Sequence, residues 1–83
     1  MYQLKILSAA QKDLDSLPVQ IFDNLRKKIL QLADNPRPHG SLKLTNEGGY
    51  RVRAGDYRLL YRIDDKTKQI FIYRVKHRKE AYR

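Results

Sequence analysis

Cysteine and tryptophan are absent from this chain, which contains two histidines, three prolines and four glycines. Without cysteine, the protein can form neither a disulfide framework nor a metal site built on thiolates. Two histidines are too few to hold a zinc or iron centre without help from carboxylates. We therefore expect no metal and no other cofactor.

Long apolar runs are also missing. The longest, Ile70–Tyr73, is far shorter than a membrane-spanning segment, and the first residues lack the pattern of a secretory signal. We expect a cytoplasmic protein that makes no membrane contact. A chain of 83 residues is expected to fold as one domain, residues 1–83, around a single core.

Acidic residues are scarce, and the imbalance is concentrated in one half. Eighteen lysines and arginines stand against nine acidic residues, which gives a net charge of +9. Residues 1–42 hold six basic and four acidic residues, whereas residues 43–83 hold twelve and five. A small, strongly basic domain most often binds nucleic acid or an acidic protein. Membrane adhesion is the weaker alternative, because the basic half is predicted to form strands.

The segment from Gly48 to Asp64 predicts a β-hairpin. Gly55 and Asp56 suit a two-residue turn, since both residue types tolerate positive φ. Alternation then assigns one face to the core, with Tyr50, Val52, Ala54, Tyr57, Leu59, Tyr61 and Ile63. The opposite face receives Arg51, Arg53, Arg58, Leu60 and Arg62.

This register sets Arg53 directly opposite Arg58. Like charges in that position destabilise a strand pair, so the arrangement favours an anion, such as a phosphate, between the two guanidiniums. A plain solvated face is the alternative. Every basic residue of the hairpin is arginine, however, and lysine would serve equally well for solubility alone.

Periodicity predicts a strand over Tyr2–Leu7 and two short-linked helices after it. Ser8 and Gln11 have the spacing of a capping box, which would begin the first helix at Ser8. Pro18 fits the first position of the second helix. Asn35, which precedes a proline and tolerates a left-handed conformation, ends that helix.

A further strand is predicted over Gln69–Lys76, inside the sheet, followed by a helical turn within His77–Arg83. The fold class is therefore α+β: a small antiparallel sheet of about four strands with an N-terminal helical hairpin on one face. The expected order is β-α-α-β-β-β plus a short C-terminal helical turn.

Two motifs in this sequence, Gly49–Tyr61 and Val75–Arg83, resemble the RelE/ParE superfamily of type II toxins, specifically its RelE-like branch. The resemblance in the order of elements covers essentially the whole chain. It implies a toxin that enters the ribosomal A site, cuts the mRNA there and so inhibits translation. It also implies a cognate, RelB-like antitoxin that wraps and neutralises the toxin in a hetero-oligomer.

The resemblance places the family's functional positions on Arg51, Arg53, Arg58, Arg78 and Tyr82. Metal-independent cleavage by the 2′-hydroxyl needs a base, and it needs cations that hold charge on the phosphate. Arginine cannot be the base, because it stays protonated. Tyr82 is favoured as the base by resemblance, and His77 is the alternative. Additional RNA contacts are expected from Lys76, Lys79 and Arg62.

Two other functions stay open at this point. A ParE-like toxin would use the same fold to poison DNA gyrase without cutting RNA. A basic RNA-binding module would only dock, with tyrosines stacking on bases. The presence of all five family positions favours the nuclease.

Overall fold

The computed structural model describes residues 1–44 and 48–81. Its elements are β1 (Gln3–Ile6), α1 (Ser8–Asp15), α2 (Val19–Asp34), β2 (Leu42–Lys43), β3 (Tyr50–Ala54), β4 (Tyr57–Asp64), β5 (Gln69–His77) and α3 (Arg78–Ala81). None of the helices in these two ranges is long and apolar enough to span a membrane. The predicted order is confirmed apart from β2, an additional strand.

The strands form one sheet in the order β1-β5-β4-β3-β2. β1 runs parallel to β5, and the other neighbours are antiparallel. The predicted α+β class is confirmed, but the sheet is mixed and has five strands rather than about four. The difference arises at the two edges, where β1 joins the last strand and the two-residue β2 extends the sheet beyond β3.

α1 begins at Ser8, as predicted, but its cap differs from the prediction. Leu7 is the cap residue and no side chain caps the helix, so the capping box of Ser8 and Gln11 is wrong. The Gln11 side chain instead donates to Asp15 at 2.9 Å. The reason is tertiary: the N–H of Leu7 donates to the Ile72 carbonyl at 2.9 Å, which holds Leu7 extended beside β5, and the Leu7 carbonyl accepts the Gln11 N–H at 2.9 Å. Leu7 therefore takes the cap position one residue before Ser8.

The boundaries of α2 lie close to those predicted. Pro18 directly precedes the first helical residue, and Asn35 follows the last. Asn35 is extended, with φ −144° and ψ 94°, rather than left-handed. The residue before a proline is pushed into the extended region, and Pro36 follows Asn35.

The core lies between the helices and one face of the sheet. It contains Ala10, Leu14, Leu25, Ile29, Leu32, Val52, Leu59, Tyr61, Ile70, Ile72 and Val75. The predicted core face of the hairpin is therefore confirmed. Within it, the Tyr61 hydroxyl donates to the Pro36 carbonyl at 2.7 Å, and burial raises the pKa of Tyr61 to about 12. This bond ties the loop after α2 to the sheet.

A β-bulge in β5 reverses which residues face the core. Tyr61 pairs with Ile72 and Leu60 pairs with Arg74, so Tyr73 is one extra residue. Before the bulge, Ile70 and Ile72 point into the core. After it, the core-facing position passes to Val75.

Beyond the end of β1, α1 covers the edge of β5 and binds its backbone. β1 pairs with β5 only as far as Ile72, and from there α1 follows the strand. The Asp13 carboxylate of α1 accepts the Val75 N–H at 2.8 Å and the Arg74 Nε–H at 2.9 Å. Burial raises the pKa of Asp13, but these hydrogen bonds outweigh it and hold the pKa below its ordinary value. Asp13 therefore acts as a carboxylate.

Candidate nucleic-acid interface

Three cations lie side by side across the three middle strands of the sheet, close to the hairpin turn, on the face opposite α1 and α2. Arg53 on β3 pairs with Arg58 on β4, as the hairpin predicts, and Arg58 pairs in turn with Lys76 on β5. Adjacent strands are only about 5 Å apart. We define these three residues as the cationic row. Directly opposed like charges destabilise a sheet, so the row favours a bound anion.

A small cleft of about 180 Å³ opens beside this row, lined by Gly40, Leu42, Arg51, Arg53 and Arg58. We call it the arginine cleft. Arg58 is only 7% exposed, whereas Arg51 is half-buried and Arg53 is exposed. None of the five lining residues is acidic. Guanidinium groups bind phosphate oxygens in pairs of parallel hydrogen bonds, so a phosphate is the expected ligand of this cleft.

The arginine cleft depends on long-range pairing. β2 places Leu42 opposite Arg51, and this pairing brings the preceding loop with Gly40 to the cleft. The loop is held to the sheet by Arg37, which binds Asp65 at 2.9 Å and the Tyr50 hydroxyl at 3.1 Å. The wall opposite β4 is therefore fixed by contacts distant in sequence.

Arg78 is brought to the hairpin turn, at the end of the sheet where Arg53 is anchored. Its N–H donates to the Asp56 carbonyl at 2.8 Å, and its Nε lies 3.9 Å from the Asp56 carboxylate. Arg53 donates from its own Nε to the Gly55 carbonyl at 3.0 Å. The two arginines thus contact consecutive turn residues. An exposed ion pair as long as that of Arg78 contributes little, so its guanidinium stays available to a ligand.

Lys79 is the neighbour of Arg78 in α3 and is exposed. Its backbone N–H donates to Nδ1 of His77 at 3.2 Å. Because Lys79 follows Arg78 directly, it adds charge near the hairpin turn rather than inside the arginine cleft. Tyr82 lies outside the described residues.

His77 is not brought together with the arginines. It pairs with the core-facing Tyr57, and the two rings meet edge to face with centroids 5.1 Å apart. On that side His77 lines a cleft with Asp13 and Leu17 of the helical layer. The structure therefore separates His77 from the cationic row by the thickness of the sheet.

Arg62 shares the arginine face but lies apart from the cleft. It is four residues from Arg58 along β4, which corresponds to about 13 Å of strand. Its guanidinium carbon sits 5.3 Å from the centroid of the Tyr73 ring. Arg62 can therefore reach only a part of the ligand that extends away from the cationic row.

The sequence prediction missed Gly40 and Leu42 as parts of the arginine cleft, and it treated Lys76 as a peripheral contact. No local signal identifies Gly40 or Leu42, because they reach the site through a strand of two residues. The position of Lys76 depends on the bulge at Tyr73. The sequence gives only a weak signal for this bulge, since the apolar run Ile70–Tyr73 fits a strand with or without an extra residue.

Comparison with known proteins gives matches over nearly the whole chain. A family described as "ParE toxin of type II toxin-antitoxin system, parDE" matches residues 4–82. The chain is 34% identical to Toxin RelG of Mycobacterium tuberculosis, over 99% of this chain and 97% of that protein.

Among solved structures, the toxin-antitoxin complex RelBE2 of Mycobacterium tuberculosis matches with a TM-score of 0.83 and 34% identity, over 92% of this chain and 96% of that chain. The archaeal RelE-RelB complex of Pyrococcus horikoshii also matches with a TM-score of 0.83 and 34% identity, over 93% of this chain and 94% of that chain. Fold and sequence thus agree across the elements that carry the cationic row.

Proposed function

This chain belongs to the RelE/ParE family of type II toxins, and on that premise we propose that it is a ribosome-dependent mRNA endonuclease. The observation that carries the proposal is the cationic row, in which Arg53, Arg58 and Lys76 occupy directly opposed positions on three adjacent strands. A fold that only needed a soluble surface would not align like charges in this way. A scissile phosphate between these side chains would relieve the repulsion.

The proposed reaction needs no metal. The 2′-hydroxyl of the nucleotide loses its proton to a base and attacks the adjacent 3′-phosphate, so negative charge builds up on a pentacovalent phosphate. The bond from phosphorus to the 5′ oxygen of the next nucleotide then breaks, that oxygen takes up a proton, and a 2′,3′-cyclic phosphate remains. Arg51, Arg53 and Arg58 hold that charge in the arginine cleft, with Lys76 beside them and Arg78 at the hairpin turn. The burial of Arg58 strengthens its interaction with the phosphate, because water screens it less.

Proton transfer is assigned to Tyr82 on the resemblance of the C-terminal motif to the family. His77 is left out of this role, because it faces the helical layer beside Tyr57. Lys79 and Arg62 are assigned to flanking RNA contacts. Such a site depends on the ribosome to orient the message, and positioning alone can supply about 7–11 kcal/mol of the barrier. Naked RNA is therefore cut poorly or not at all.

A RelB-like antitoxin is the proposed protein partner, forming a hetero-oligomer with this chain. Support comes from the archaeal structure that this chain matches, which is a complex of RelE with RelB, and from the net charge of +9. The binding segment of the antitoxin is then acidic. Co-expression of this chain with the product of a neighbouring acidic reading frame tests the pairing by co-purification and by loss of cleavage.

The test of the nuclease uses a cell-free translation extract in which new 5′ ends of a reporter message are mapped. We expect Arg58→Lys, which keeps the charge but loses paired hydrogen bonding, to slow cleavage by about 10²–10³. Arg53→Ala is a second test variant. Because Arg53 is exposed, its replacement should not disturb the packing around the buried Arg58. Arg26→Ala on α2 is the matched control, since it removes one charge outside the arginine cleft, and it should cleave normally.

Three results would contradict the proposal. Equal cleavage of naked and translated message would remove the ribosome dependence. Double-strand breaks in DNA without new RNA ends would favour the gyrase inhibitor. Salt-sensitive RNA binding without new ends would leave a non-catalytic RNA-binding module.

A further inference from the structure

A second and larger cleft, of about 500 Å³, lies between α2 and the tip of the β3-β4 hairpin. One wall carries Asn24, Lys27, Lys28 and Gln31 from α2, and the other carries Arg53 and Tyr57. We propose that this α2 cleft is a second RNA-binding subsite, which holds the single-stranded mRNA next to the scissile phosphate. The proposal rests on the proposed function and extends it to a surface away from the arginine cleft.

The charge of the α2 cleft is positive, because Lys27, Lys28 and Arg53 in its lining outnumber the one lining carboxylate that the structure describes, Asp56. Neither Lys27 nor Lys28 has an ion-pair partner within residues 1–44 and 48–81, although Asp23 lies one helical turn before Lys27. Of the described lining residues only Asp56 is acidic, and its carboxylate is 3.9 Å from the Arg78 guanidinium. Both lysines are therefore available to phosphate oxygens.

The remaining lining groups suit a nucleotide. Tyr57 offers an aromatic ring on the hairpin wall, and Asn24 and Gln31 offer amide groups that both donate and accept hydrogen bonds. Cations along a groove combined with an aromatic platform are typical of single-stranded nucleic-acid sites. The volume falls in the range of about 300–1,000 Å³ that holds a ligand of nucleotide size.

Arg53 connects the two sites, because it lines both the arginine cleft and the α2 cleft. An RNA strand with its scissile phosphate in the first can therefore cross Arg53 and continue toward Lys27 and Lys28. An acidic protein segment would also be attracted by the two lysines. Such a segment would make no particular use of the Tyr57 ring, of the amides or of the continuity through Arg53, and these features favour RNA.

The experiment measures binding of fluorescent single-stranded RNA as a function of salt concentration, by fluorescence anisotropy. The test variant is Lys27→Ala/Lys28→Ala. The matched control is Lys5→Ala/Lys12→Ala, which also removes two charges, from exposed positions on β1 and α1. Each phosphate contact on a single strand contributes about 0.7 to the slope of log K against log salt. We expect the test variant to lower that slope by about 1.4, and the control to leave it unchanged.

RNA length localises the effect. The loss should appear with an oligonucleotide of about six residues and disappear with a dinucleotide, which fills only the arginine cleft. Equal losses in both double variants, or an unchanged slope in the test variant, would overturn the proposal. Two other results in the test variant would also overturn the proposal, provided that it still binds the oligonucleotide normally. Loss of co-sedimentation with ribosomes would assign the two lysines to ribosomal RNA, and loss of binding to an acidic peptide would assign them to a protein.

Failure of the proposed function is distinguishable from failure of this inference. If the wild-type protein cuts no message but the salt slopes of the test and control variants differ as expected, the nuclease proposal is wrong and the RNA subsite is retained. If cleavage is observed but the two slopes are equal, only the subsite proposal is wrong. Circular dichroism of both double variants checks that they fold. Folding is expected because alanine is a strong helix former at Lys12, Lys27 and Lys28, and because Lys5 on β1 is exposed.

Discussion

Replacing Asp13 should lower the free energy of unfolding more than most surface substitutions do, because its carboxylate accepts a backbone hydrogen bond at the edge of β5. Its carboxylate accepts the Val75 N–H at 2.8 Å, and it also accepts Nε–H and Nη2–H of Arg74 at 2.9 and 3.3 Å. Asp13→Ala leaves both groups without this acceptor. Asp13→Asn keeps one oxygen for the backbone N–H and loses the charge.

The magnitude follows mainly from the backbone bond. A hydrogen bond to a charged group contributes about 1.5–3 kcal/mol, and the ion pair adds little because the Arg74 side chain is 41% exposed. We therefore expect Asp13→Ala to lower the free energy of unfolding by about 2–3 kcal/mol. For a chain of this length that corresponds to a fall in Tm of roughly 10–20 °C. Asp13→Asn should cost about 1 kcal/mol.

The pH dependence gives an independent check with a definite sign. The pKa of Asp13 lies below its ordinary value of 3.8 in the folded protein. A depressed pKa means that the stabilisation is fully present above the ordinary value and is lost as the pH falls toward the folded value. The stability difference between wild type and Asp13→Ala should therefore be constant near neutral pH and shrink below about pH 4.

Urea denaturation followed by circular dichroism measures each free energy, with Asp23→Ala on the exposed face of α2 as the control. A cost below about 0.5 kcal/mol for Asp13→Ala, the range of an ordinary surface substitution, would refute this role of Asp13 at the edge of β5. A difference that does not change on acidification would show that the carboxylate charge contributes nothing.

Two further predictions concern the packing behind the arginine cleft. Tyr61→Phe removes the buried hydroxyl that donates to Pro36 at 2.7 Å and should cost about 1–2 kcal/mol in urea denaturation. Because burial raises the pKa of Tyr61 from 10.0 to about 12, this cost should be present below pH 10 and shrink as the pH rises toward 12. Gly49→Ala would bring a Cβ atom to 2.9 Å from the Tyr61 carbonyl oxygen and 3.1 Å from the Tyr73 hydroxyl. It should cost about 1–3 kcal/mol, and a cost near zero would show that the strand can shift.

The hairpin could be predicted from the sequence because its information is local. Gly55 takes a positive φ of 62°, as the turn requires, and a two-residue turn fixes the register of every pair above it. The opposition of Arg53 and Arg58 follows directly. The helices were predictable for the same reason, since their apolar stripes repeat within each segment.

The cap of α1 and the wall of the arginine cleft could not be predicted in this way. Ser8 has a favourable capping sequence, but Leu7, whose N–H donates to the Ile72 carbonyl, takes the cap position one residue earlier. Leu42 enters the site through a strand of two residues, which is too short to show any periodicity. Both features depend on partners far away in sequence.

The bulge at Tyr73 decides which side chain of β5 joins the cationic row. With strict alternation from Ile70 and Ile72, the side chain of Lys76 would face the helices, and the register set by the Tyr61–Ile72 pair would place Val75 opposite Arg58. The extra residue shifts this register, so that Lys76 pairs with Arg58 and His77 pairs with Tyr57. A cationic side chain thereby takes a position that an apolar one would have held. The one-residue insertion is therefore consistent with the proposed binding of phosphate on this face.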